Sequence, residues 1–196
     1  GHLQAHGRYW IRVGDYFSDS NYGARIQGDN LLLSVSTALT GRQTRWPQLS
    51  RRDVPDPQWR SLVEPKDLYF PLAVESEPYA HLVLQCPLDA LAQADLRCKV
   101  TGIVGGEDSV FYATADAAYL ALPEWDEAAW RDPRFDPNRM YWDEEIAHLW
   151  SHRYTAVYRI PYAAGQPIGV ARLDGFVEDQ FSFKESEDGL FAITRS

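Results

Sequence analysis

Hydrophobic and polar residues alternate in short runs along most of this chain, and the runs return in a fixed order. Side chains on a strand point to opposite faces with period two, so alternation with β-branched or aromatic content predicts strands. Arg25-Ile26-Gln27 leads through Gly28-Asp29-Asn30 into Leu31–Ser36, and after an interval come Ala80–Pro87 and Cys98–Val104. Val110–Thr114, a turn at Asp116 and Tyr119–Leu122 repeat the first pair, and Ala156–Pro161 with Ile168–Leu173 repeats the second. A third copy begins at Gln180–Lys184, turns at Asp188-Gly189 and continues as Leu190–Thr194. The Gly, Asp and Asn between runs suit hairpin turns. Leu31-Leu32-Leu33 is apolar on both faces, as a strand covered on two sides requires. Strands do not alternate with helical patterns, which argues against a parallel α/β sheet.

Repetition of four-strand units predicts an all-β fold of β-propeller-like, four-stranded antiparallel blades: two nearly complete, a third begun, the ring incomplete. Residues 1–196 then make a single propeller-like domain with insertions at 37–78 and 123–153. Long structureless loops are uncommon in compact domains, so both insertions are expected to fold onto the sheets. Short helices are expected at Glu124–Trp130 and Glu144–His152. Phe181 and Phe183 alternate with Gln180, Ser182 and Lys184, which predicts that both rings pack on the preceding blade. The apolar strand Leu190–Thr194 would present an unpaired edge. Self-association through Gln180–Thr194, or cover by the Pro-rich first insertion, would hide it.

The run Asp179-Gln180-Phe181-Ser182-Phe183, then Glu185, then Leu190-Phe191-Ala192-Ile193-Thr194 resembles a pattern in bacterial and archaeal secreted proteins with a C-terminal β-propeller domain, a family of poorly understood function. There the run is Asn-Gln-Phe-Ser-Met, followed by an acid and a strand ending Ala-Thr-Thr. This chain has Asp179 in place of the Asn and Phe183 in place of the Met. Tyr22–Ile26, Ile103–Tyr112 and Thr155–Pro161 look similar to earlier strands of that domain. The resemblance implies an extracytoplasmic location (secreted, periplasmic or cell-surface) and further blades beyond Thr194. It supplies no catalytic residues.

Charge and cysteine usage narrow the function. The net charge of -9 opposes nucleic acid, whose phosphates it repels. The one basic-leaning stretch, Arg42–Arg60, also holds Pro47, Pro55 and Pro57 and reads as an ordered loop. No tract is long and apolar enough for a transmembrane segment. The start, Gly1-His2-Leu3-Gln4, is not a signal peptide and looks processed. Cys86 ends one predicted strand and Cys98 begins the next, so a hairpin would set them side by side as a disulfide. That pairing favours an oxidising compartment; two buried free thiols are the alternative.

Candidate chemistry is sparse. His148 and His152 stand four apart on a predicted helix with Glu144 and Glu145, but the run lacks the zincin signature and reads as a solvated face, so no metal is assigned. Gly102–Gly106 lacks the Lys-Ser/Thr of a phosphate loop and reads as a turn. No cofactor is implied. The acidic, Trp-rich second insertion is the best functional candidate, with Trp125, Trp130, Asp136, Trp142, Asp143 and Glu144 as the binding residues. Trp concentrates at binding hot spots, and excess acid favours a cationic protein or small ligand. Trp rings that merely cap the sheet are the plainer reading. The favoured function is non-catalytic recognition or a structural role. The alternative is a carbohydrate-active hydrolase using paired carboxylates, with Trp stacked on sugar rings.

Overall fold

The computed structural model describes residues 8–12, 23–39, 46–70, 78–89, 96–125 and 153–195. The chain divides into two compact units, Gly1–Glu107 and Asp108–Ser196. The first contains β1 (Tyr9–Arg12), β2 (Gly23–Gln27), β3 (Asn30–Ala38), β4 (Gln48–Arg51), β5 (Arg60–Ser61), β6 (Leu68–Tyr69), β7 (Tyr79–Pro87) and β8 (Lys99–Gly105). They form a five-stranded sheet, β2-β3-β7-β8-β6, and a three-stranded sheet, β1-β4-β5.

Register explains the core. β3 and β7 pair antiparallel with Leu31 opposite Cys86, Leu33 opposite Leu84 and Val35 opposite Leu82. These side chains share one face. Leu49 and Val63 pack on it, with Tyr9, Ile11, Trp46 and Leu62, so the small sheet covers the large one. The opposite face is also withdrawn from water, through Leu32, Ser34, Ser36, His81, Val83 and Ile103. A buried imidazole needs partners. His81 Nε2 donates to the Gly106 carbonyl at 2.6 Å, and in that neutral tautomer Nδ1 accepts from the Ser36 hydroxyl at 2.8 Å.

β7 and β8 run antiparallel with Gln85 opposite Lys99, so the next step places Cys86 opposite Cys98. The two are joined in a disulfide across a Cα separation of 4.2 Å. Closing so short a loop stabilises by roughly 3 kcal/mol in the chain-entropy model.

The second unit holds β9 (Val110–Ala113), β10 (Ala117–Trp125), β11 (Arg153–Pro161), β12 (Gly169–Asp174), β13 (Phe183–Ser186) and β14 (Gly189–Ala192). Its main sheet has the order β12-β11-β10-β9, each neighbour antiparallel. The β13–β14 hairpin lies on that sheet, where Phe183, Leu190 and Ala192 meet Ala121, Val157, Tyr112 and Tyr119. The Tyr112 and Phe183 rings stack at 5.5 Å.

The expected all-β class holds, in open and mainly antiparallel sheets. Several details differ. The first main sheet has a fifth strand, β6, parallel to β8, drawn from the 37–78 insertion. Other described residues of that insertion supply β4 and β5, and Leu49 and Val63 pack on the core of their own unit, as expected of an insertion folded onto a sheet. Gly102 and Gly105 lie in β8 rather than in a turn. Glu124 and Trp125 continue β10 instead of opening a helix, while residues 126–152, including the expected helix at Glu144–His152, lie outside the described residues. Gln180–Ser182 is a 3-10 turn, not strand. Phe183 is buried, but Phe181 is 82% exposed, so the two rings do not share a packed face. The Asp179 carboxylate explains the difference, since it accepts from the backbone N–H of Phe181 and Ser182 and winds the chain before β13 begins.

Candidate binding surface

The outer face of the small sheet carries the most developed group of exposed side chains among the described residues. On β1, Tyr9 and Ile11 turn toward the core, so Trp10 and Arg12 turn outward. Trp10 lies opposite Ser50 of β4, and the β4–β5 register extended by one residue brings Trp59 to the other side of Ser50. A serine between them is small enough for the two indoles to lean together. Their centroids are 6.4 Å apart at an interplanar angle of 25°. Ser50 is buried beneath them, its hydroxyl without a hydrogen-bond partner among the described residues.

Each indole of this pair carries a cation. The Arg52 guanidinium sits 4.0 Å from the Trp10 centroid and the Arg12 guanidinium 4.2 Å from that of Trp59. The result is one cluster of two indoles and two guanidinium groups. Arg52 is placed by the strand ladder, because its N–H donates to the Arg8 carbonyl at 2.8 Å. Cation–π contacts at exposed sites contribute about 0.5–1 kcal/mol each. Trp10 remains 48% exposed, and Arg8, Arg12 and Arg52 are exposed as well.

Neighbouring charge is tied down. Arg51 binds both oxygens of Asp53, at 2.6 and 3.0 Å. That hydrogen bonding draws the Asp53 carboxyl from its ordinary 3.8 down to about 2. In the second unit, Asp116 at the β9–β10 turn accepts from the Thr114 hydroxyl at 3.0 Å and pairs with Arg159 of β11. The Thr114 bond first, then Arg159, lowers its pKa. This cluster pins a turn to a neighbouring strand. Burial raises the Tyr158 and Tyr162 phenols, away from any role as a base at neutral pH.

Of the binding residues expected from the sequence, Trp130, Asp136, Trp142, Asp143 and Glu144 lie outside the described residues, and Trp125 enters only through its place in β10. The structure instead assembles residues that the sequence reading passed over. Arg52 and Trp59 lie inside the stretch read as an ordered loop. A signal was present in Arg8-Tyr9-Trp10-Ile11-Arg12, whose alternation marks a strand with one cationic and aromatic face. Comparison with protein-family models, curated proteins and solved structures finds no match.

Proposed function

We propose that this chain is a non-catalytic binding protein built from propeller-like blades and working outside the cytoplasm. The observation that carries the reading is the cluster of exposed Arg52, Trp10 and Arg12 with half-buried Trp59 on a three-stranded sheet. Large rings and guanidinium groups left at the surface of a rigid scaffold are the residue types that dominate recognition hot spots. The Cys86–Cys98 disulfide favours an oxidising compartment, and no helix among the described residues is long and apolar enough to cross a membrane. Recognition by the acidic, aromatic segment 123–153 belongs to the same proposal as a second contact surface.

Catalysis by paired carboxylates is the weaker reading. A glycosidase needs a pair of acids flanking its substrate, and Asp53 and Asp116 are instead each tied to a neighbouring cation, Arg51 and Arg159.

The test is a binding screen of the immobilised chain against glycans, peptides and basic proteins, with parallel assay of reducing-sugar release. Binding without turnover, lost in Trp10→Ala, is the expected result. Loss in Trp142→Ala instead would shift recognition to the insertion, and sugar release would favour the hydrolase.

A further inference from the structure

We infer that the Arg–Trp face takes an acidic polysaccharide, one whose carboxylates are spaced along a chain of sugar rings; this rests on the binding role proposed above. A guanidinium lying flat on an indole keeps its N–H donors at the edge, where they can engage a carboxylate in bidentate fashion. Arg12 and Arg52 each sit over an indole, at 4.2 and 4.0 Å from the ring centroids. The contact also orders them beforehand, so little side-chain freedom is lost on binding.

The mix of rings and cations selects the ligand further. Two indoles whose centroids lie 6.4 Å apart share the face with the cations. A matching ligand carries apolar ring surface beside its anionic groups. Sugar rings that bear carboxylates have both. Duplex nucleic acid carries a charge about every 1.7 Å, denser than one carboxylate per sugar ring, and a single-stranded oligonucleotide, whose bases also stack on aromatic rings, is the competitor to be tested. Arg51 adds no charge to the face, because it lies opposite Tyr9 on the other side of the strand and Asp53 holds it in a two-point pair. The face therefore presents a few cations among aromatic rings rather than a basic patch.

Affinity for polygalacturonate, neutral dextran and a single-stranded oligonucleotide would be measured at low and high salt. The proteins would be the full chain, Arg12→Gln/Arg52→Gln, Arg12→Lys/Arg52→Lys and Lys184→Gln. Polygalacturonate should bind in a salt-sensitive manner and dextran should not. The double Gln variant should weaken binding about tenfold or more while its melting temperature falls by only about a few degrees. The double Lys variant should lose part of that, since charge remains without the planar fork, and Lys184→Gln should lose none. Equal binding of dextran and polygalacturonate would overturn the inference while leaving a binding role intact. Tighter binding of the oligonucleotide would overturn the choice of polysaccharide. A double Gln variant that melts lower yet binds polygalacturonate normally would reduce the cluster to a stability device. Failure of every polymer would overturn the inference, and the wider screen would then decide whether the binding role survives.

Discussion

Two phenylalanines, two positions apart, have opposite fates in this chain. Phe183 is buried against Tyr112 of the main sheet, whereas Phe181 projects from a 3-10 turn. Phe183→Ala should lower stability by about 3–5 kcal/mol, and Phe181→Ala should stay within about 0.5 kcal/mol of the parent. Denaturant midpoints of the two variants would check this, and a larger loss at Phe181 would contradict the placement of the turn. Alternation predicted both rings inside because period-two reasoning assumes an extended backbone. The Asp179 side chain, which caps the turn, breaks that assumption. Carboxylates at this scale also set a pH dependence. Asp53 titrates near 2 when folded, against an ordinary 3.8, and Asp116 is lowered as well. A depressed folded pKa contributes stability that is present above the unfolded value and lost as pH falls through the folded one. An Asp53→Asn/Asp116→Asn variant should therefore unfold slightly earlier in urea than the parent at neutral pH. The gap should close as pH falls from about 4 toward 2.

Among the elements, β6 is one that alternation missed. It is two residues long and parallel to β8, too short to leave a periodic trace. What seats it is an absence of side chain: a Cβ on Gly102 would come within 2.6 Å of both Leu68 and Leu82. Gly102→Ala should cost about 1–3 kcal/mol through overpacking and loosen Leu68–Tyr69, seen as faster amide exchange at the β6–β8 rungs. Unchanged exchange would show that β6 is held by other means. The longer strands were legible because register and pattern agree, as where Cys86 and Cys98 fall on facing positions of one hairpin. The small sheet was not, since β1 and β4 have four residues each and β5 two. The candidate surface lies on that sheet, so it went unseen with it.

At the scale of the molecule, the repeat of strand pairs was the most readable property, and it recurs as two main sheets followed by a hairpin. The fifth strand and the Arg–Trp face depend on contacts between segments distant in sequence, whereas the 3-10 turn at Gln180 has a local cause, the Asp179 cap, that a period-two pattern does not register. One consequence of the repeat concerns exchange of parts. The β10–β11 ladder continues unbroken to its last rung, Trp125 opposite Arg153. The residues that flank segment 126–152, a cassette in sequence, therefore face each other on one rung. A two-residue Asn-Gly turn can join facing strand ends. Replacing residues 126–152 by Asn-Gly should leave a folded protein with a single cooperative unfolding transition. Loss of folding would show the cassette to be structural. Retained folding would make this rung a splice site at which recognition segments can be traded without redesigning the sheet that bears them.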